Sequence, residues 1–316
     1  MSLLALILAA AEFIALPGGP PAGMDYLAYD AQSGLLFVPA SNTGKVDVID
    51  TKSGKLQSID GWKTEKRGER IAGVTAATTG GGYAYIGNRA DSSICAVEIR
   101  SLERKGCVTL ASMPDGLFYV GATKEVWVTT PRDNSLQILS LKDPAAPAHA
   151  GSIKLEGQPE GYAVDEQRGI VFTNLEDKDK TLSIDAKSRK VTASWDPGCP
   201  EKGPRGIVVD AAAKRLFVAC AVEGLKEFDA SGKIIGKLDT GAGVDNIDIL
   251  PAKHRVYVAS SSEAKLTVAE VGPDGAFKVV STAATVPGGR TVIVDGAGNA
   301  YIPDSKQGRL VVVRAQ

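Results

Sequence analysis

Seven aromatic residues, Phe37, Tyr85, Trp127, Phe172, Phe217, Tyr257 and Tyr301, stand in seven short apolar runs that recur every 40 to 48 residues along the chain. A repeat of that length, holding several short strands and no amphipathic helix, is the sequence mark of a β-propeller blade. Each unit follows one script. It is clearest in the fifth, where GPRGIVVD (203–210), RLFVAC (215–220), LKEFDA (225–230) and KIIGKLDTG (233–241) read as strands A to D separated by turn residues. The B strands are nearly continuous apolar runs, as expected of strands covered on both faces. Seven such units predict an all-β fold, a seven-bladed β-propeller.

The seventh unit is incomplete. RTVIVDG, NAYIPDS and RLVVVRA run to the end of the chain without a fourth strand, whereas residues 12–17 (EFIALP) precede the first strand A and resemble a D strand. They are expected to pair beside strand C of blade 7, so that the last blade is closed by an N-terminal strand and no sheet edge is left open as a template for aggregation. Residues 3–11 form an apolar stretch ending in Ala9-Ala10-Ala11, the form of a signal-peptidase site, although no Lys or Arg precedes it. The domain reading is a signal peptide over 1–11 and a single propeller over 12–316, with the protein periplasmic or secreted. No membrane span is expected, since spanning takes about 20 apolar residues.

The 36 basic residues balance 37 acidic ones, for a net charge of −1. Such a chain has no overall field for a phosphate backbone, so nucleic-acid binding is not expected unless charge is segregated locally. Four cysteines allow three pairings, and the blade topology favours one of them. Cys199 enters strand A of blade 5 and Cys220 ends its antiparallel strand B, while Cys95 and Cys107 lie in strands C and D of blade 2 and flank one hairpin turn. Two disulfides within blades are expected, Cys199–Cys220 and Cys95–Cys107.

The segments LFVPASNTGKVDVIDTKSGKLQSI (36–59), GPRGIVVDAAAKRLFVAC (203–220) and AYIPDSKQGRLVVV (300–313) resemble the YVTN or YncE-like β-propeller repeat family, common among exported bacterial proteins. The resemblance covers essentially the whole chain and implies architecture more than activity, because propellers host binders, hydrolases, lyases and redox enzymes alike. Some relatives are labelled gluconolactonase-like by analogy.

Counting back 12 positions from the strand B aromatic, or 11 in the last blade, gives Asp25, Gly73, Asp115, Glu160, Arg205, Asp245 and Arg290, six of them charged. This slot starts the innermost strand, so Asp25, Asp115, Glu160, Arg205, Asp245 and Arg290 are expected to ring one mouth of the central tunnel and bind a ligand there. Asn88, Asn174, Ser260 and Asp304, at the ends of B strands, are candidate second contributors. Glu160, Asn174 and Asp245 offer oxygen ligands of the kind a hard cation such as calcium chooses. Six-bladed lactonases of the gluconolactonase type use a Glu, Asn and Asp set around calcium, and this chain shares the residue types but not the blade number. Asp177 and Asp179 form a further acidic loop, read as solvated.

Only two histidines occur, His149 in an outer strand and His254 in a turn on the face opposite the proposed ring. Ser-His-Asp hydrolysis at the mouth is therefore disfavoured, and the absence of CxxCH excludes covalent haem. The long loop GWKTEKRGERIAG (61–73) belongs to the same mouth; Trp62 either lids the tunnel or tucks between blades. The function expected is recognition of a small polar ligand or a protein partner at the charged mouth by a monomeric propeller. The alternative is a calcium-type hydrolase of lactone-like substrates using the same carboxylates. A third reading, a passive scaffold, gains if the ring charges pair with one another.

Overall fold

The ring is joined through the two ends of the chain. In the computed structural model, which describes residues 11–200 and 203–315, Ala11–Ala15 pairs antiparallel with Arg309–Val313, from Ala11 opposite Val313 to Ala15 opposite Arg309. It is the outermost strand of the seventh sheet, and all seven sheets have four strands. The expected closing strand is thus present and starts one residue early, at Ala11; the rest of the signal-like segment lies outside the described residues. Arg314 and Glu12 form an ion pair across the seam at 2.7 Å, and the Arg309 guanidinium lies 3.9 Å from the centre of the Phe13 ring.

The repeating aromatics are the core. Phe37, Tyr85, Trp127, Phe217 and Tyr301 are at most 2% exposed, and Phe172 and Tyr257 remain buried. Each packs between neighbouring sheets: Phe37 of blade 1 shares a cluster with Val74, Ala84 and Ile86 of blade 2, and Tyr85 of blade 2 with Leu117, Val126 and Leu139 of blade 3. Polar tips that enter this core find partners, as buried donors must. Trp127 donates to Glu125 Oε2 at 2.9 Å, Tyr85 to the Pro144 carbonyl at 3.1 Å and Tyr301 to Asp295 Oδ2 at 3.0 Å.

The inner strands of blades 1 and 7 are shorter than their apolar runs suggest, at Ala28–Asp30 and Ile293–Val294. In each blade a proline of strand B, Pro39 or Pro303, follows soon after the last registered pair and has no N–H for the ladder. Tyr26 bonds instead to the next blade: its amide donates to the Thr75 carbonyl at 3.0 Å and its carbonyl accepts from Ala77 at 2.9 Å.

Both expected disulfides form. Cys95 lies directly opposite Cys107 in the register of strands C and D, and Cys199–Cys220 pins the loop entering blade 5 to the end of its second strand. Asp179 holds this loop by accepting the Cys199 amide at 3.0 Å, and Asp177 accepts the Gln158 amide at 2.7 Å, so the acidic loop is structural rather than merely solvated. Trp62 is tucked between blades, 5% exposed, with its indole N–H on the Ile59 carbonyl. Among the described residues no helix is long and apolar enough to cross a membrane.

Two outcomes follow from these joints. Removing residues 1–18 should uncover the seventh sheet and the core cluster containing Leu16, Met24 and Tyr301, leaving little soluble protein; a truncated chain with an unchanged melting temperature would contradict the closure. Replacing Cys199 and Cys220 by Ser should lower stability by about 3 kcal/mol on a loop-entropy basis, read as roughly 5 °C in a chain of this size.

Candidate functional site

In three blades the start of strand A departs from a regular ladder. Register shifts fall between Val74 and Ala76, between Glu160 and Tyr162, and between Pro204 and Ile207, in blades 2, 4 and 5. Bulges of this kind re-aim side chains. In blade 4 the extra residue is Gly161, whose φ of +68° and whose missing side chain are both required, since a Cβ there would lie 2.2 Å from the Arg205 carbonyl oxygen. Gly73, the one uncharged member of the slot, has a similar cause: a Cβ would sit 1.8 Å from the Ser41 carbonyl oxygen.

Around these turns the slot residues from distant blades converge. Arg89 spans Asp25 and Asp115, donating to Asp25 Oδ2 at 2.9 Å and also to Asp115 Oδ1. The Tyr26 hydroxyl donates to Glu160 Oε1 at 2.6 Å. Blades 1 and 4 stand on opposite sides of the ring, so this bond crosses the tunnel. Tyr26 also stacks on Tyr162 with centroids 5.5 Å apart, and Tyr162 on Phe118 at 4.6 Å, so an aromatic stack leads from Tyr26 into the core between blades 3 and 4. Asp115 and Glu160 lie close enough to act on each other's charge. Burial, reinforced by the Asp115 and Asp245 carboxylates, pushes the Glu160 carboxyl well above the ordinary range. Burial also raises Asp115, against the opposing pull of Arg89. Two carboxyls so close in a low-dielectric site oppose each other's ionisation, and the upward push is stronger on Glu160 than on Asp115.

On the other side, Asp245 pairs with Arg290 at 3.1 Å, and its amide donates to the Arg290 carbonyl at 2.9 Å. Burial lifts Asp245 to about 6 in spite of that arginine. Arg205 is clasped by Glu176. Asn174, fully buried, uses both ends of its amide: Nδ2 donates to the Arg205 carbonyl at 2.6 Å and Oδ1 accepts from Thr181 Oγ1 at 2.7 Å. The amide oxygen expected of a Glu160, Asn174 and Asp245 calcium set is thus already a hydrogen-bond acceptor inside its blade. Among the described residues no group of three or more His, Cys, Asp or Glu side chains is arranged to hold a metal ion. Asn88 and Asp304 are likewise bound locally, Asn88 to Lys63 and Ala90 and Asp304 to Arg309.

Two cavities flank this network and share Asp25, Thr291 and Pro303. The inner one, about 150 Å³, is lined by Tyr162, Asn246 and Asp248 among others. Asp248 accepts the amides of Ile249 at 2.8 Å and Val294 at 2.7 Å, and burial raises its carboxyl to about 7. The outer cavity, about 630 Å³, is the mouth proper. It is built by the loops of blades 7, 1, 2 and 3, including a small hairpin of Glu65–Arg67 and Arg70–Ala72. Of the six charged slot residues only Asp25 and Arg290 reach it. Its other charges are Arg67, Arg70, Arg89 and Arg132.

Arg89 and Glu176, which neutralise the ring, were not singled out by counting backward from the aromatics. Counting forward four positions finds both, in a slot that reads Ser41, Arg89, Pro131, Glu176, Ala221, Ser261 and Ser305. Arg132 is brought to the mouth by the 3-10 turn Pro131–Asp133. No periodic signal marks it, nor Asp248 within the alternating strand Ile247–Leu250. The histidines are where the sequence puts them, His149 on the Thr109 carbonyl at 2.9 Å and His254 on Asp210 at 2.5 Å, both away from the mouth.

The chain is similar in fold to solved propellers. A chain in the crystal structure of a mitotic checkpoint complex aligns with a TM-score of 0.74 at 11% identity, covering 100% of this chain and 94% of that one. A chain of Kuenenia stuttgartiensis hydrazine synthase aligns with a TM-score of 0.75 at 13% identity, covering 96% and 97%. At such identities the likeness shows the fold alone. No protein-family model matches the chain, and no curated protein matches it.

The raised carboxyls carry a stability signature. Asp245 and Asp248 keep their protons to about pH 6 and 7 when folded but lose them near pH 4 when unfolded. The folded state then binds more protons in that window, so stability falls as pH rises from about 4 to about 7. The melting temperature should therefore decline between pH 5 and pH 8, and the decline should be shallower in Asp248→Asn; parallel declines would show Asp248 to be ionised throughout.

Proposed function

We propose that this protein is an exported recognition propeller of the YVTN or YncE-like kind, binding a small polar ligand at the mouth formed by blades 7, 1, 2 and 3. The observation that carries the reading is the mouth cavity, about 630 Å³ and lined by five arginines with one aspartate. Its size falls within the few hundred to a thousand cubic ångströms typical of ligand sites, and its convergent polar groups meet the other requirement. Catalysis is the weaker reading. The carboxyls that a hydrolase would use are engaged with Arg89, Arg290 and Tyr26, and neither histidine is near. Export is supported by the signal-like start and by two disulfides, which persist in oxidising compartments.

The internal pairing of the ring favours a second reading, a scaffold whose tunnel charges serve structure. The two differ in what mouth substitutions do. If the mouth binds a ligand, a thermal-shift screen of polar small molecules should give a compound that stabilises the protein, by about 2.7 kcal/mol at a hundredfold excess over its Kd. Arg132→Ala, on the exposed rim, should abolish that shift while leaving the free protein's melting temperature within about 1 °C, as for other exposed charges. Hits indifferent to Arg132→Ala, or no hits at all, would favour the scaffold.

A further inference from the structure

The geometry points to the chemical class of the mouth ligand: a small molecule bearing two or more oxyanion groups, carboxylate or phosphate. The inference rests on the mouth being a binding site. Its basis is the segregation of charge within a nearly neutral chain. Of fourteen arginines and 22 lysines in the sequence, five arginines and no lysine line this one cavity. Where a positive field alone is needed the two residues serve equally; arginine is the choice where a planar fork must hold a carboxylate or phosphate through two parallel N–H bonds.

Apart from Asp25, the carboxylates that balance these arginines do not face the ligand space. Asp115 and Asp245, the partners of Arg89 and Arg290, do not line the cavity, and neither does Glu160. Asp25 does line it, but is spanned by Arg89. Arg67 is held by Glu65 at 2.6 Å, and among the described residues Arg70 and Arg132 have no ion-pair partner. The cavity therefore presents guanidinium groups from several blades, with their counter-charges behind them. A further group points the same way: Thr75, 6% exposed and in the cavity lining, has a buried hydroxyl with no hydrogen-bond partner. A buried hydroxyl left without a partner is costly and is satisfied by an acceptor supplied from the cavity. Separate blades supply the arginines, Arg70 from the hairpin before blade 2, Arg132 from blade 3 and Arg290 from blade 7, which suits a ligand with more than one anionic group rather than a single halide-like ion.

The test titrates the full chain by calorimetry with citrate, with inorganic pyrophosphate and with glucose at matched ionic strength, and repeats it with Arg70→Gln, Arg132→Gln and Arg132→Lys. Citrate or pyrophosphate should bind, glucose should not, and each Gln variant should weaken binding about tenfold or more, the effect of losing a charge-assisted pair. Arg132→Lys should weaken it too, because charge is kept and the fork is lost. The stronger of citrate and pyrophosphate identifies the oxyanion as carboxylate or phosphate. If glucose or another neutral compound binds instead and Thr75→Val abolishes it, the anion class is wrong while the mouth remains a site. If no probe responds to any mouth substitution, both readings fall. Tighter binding of an acidic peptide such as hexaglutamate than of either small anion would overturn the small-molecule assignment in favour of a protein segment.

Discussion

Everything in this molecule depends on the first described strand finding the last. The sheet of each blade packs face to face only on the sheets of its two neighbours, so a ring that fails to close leaves two sheet faces in water. Here closure and site are made by one stretch of chain. After pairing as the outer strand of blade 7, residues 11–15 continue through Leu16 and Ala22, whose amides donate to the Gly308 and Ser305 carbonyls at 2.9 Å, and then into Met24, Asp25 and Tyr26. The cluster that seals blade 7 against blade 1 contains Leu16, Ala22 and Met24 together with Leu36, Tyr301 and Leu310. Asp25 and Tyr26 thus reach the tunnel only because the ends are joined.

Inside the tunnel the deciding term is desolvation. Taking an ionised carboxylate out of water costs several kcal/mol even after relaxation, and Asp25, Asp115, Glu160, Asp245 and Asp248 all converge on the axis or on the cavity beside it. The fold meets that cost in three ways. Arg89 and Arg290 supply charge, Tyr26 donates a hydrogen bond to Glu160, and Asp248 takes two backbone amides.

The fold was legible because a blade repeats, and a period of 40 to 48 residues survives any one irregular strand. The cysteine pairs followed once strand order was known, since antiparallel neighbours within a blade bring Cys95 to Cys107 and Cys199 to Cys220. The site was legible only in part. Counting finds residues that share a depth in the ring, so Asp25, Asp115, Glu160 and Asp245 do meet, as their mutual electrostatics show. It cannot tell which way a bulged strand turns each side chain, nor that Arg205 goes to Glu176. Nor can it see Arg132 or the mouth's lopsided construction from blades 7, 1, 2 and 3, because those depend on loops that do not repeat.

The two layers, carboxylates below and guanidiniums above, make the arginines unequal. Arg89 is anchored to Asp25 and Asp115, with its side chain 22% exposed, so it pays little further entropy to meet a ligand. Arg290, 56% exposed, is tied only at Asp245. Arg70 and Arg132, exposed and without an ion-pair partner among the described residues, would give up nearly all the rotamer freedom of a long side chain on binding, up to about 2 kcal/mol each. In the proposed oxyanion site the inner guanidinium would therefore set geometry, while the outer ones would add attraction at an entropic cost. The buried network under the mouth is what makes that division: without Asp25 and Asp115 to hold it, Arg89 would be as free as Arg132.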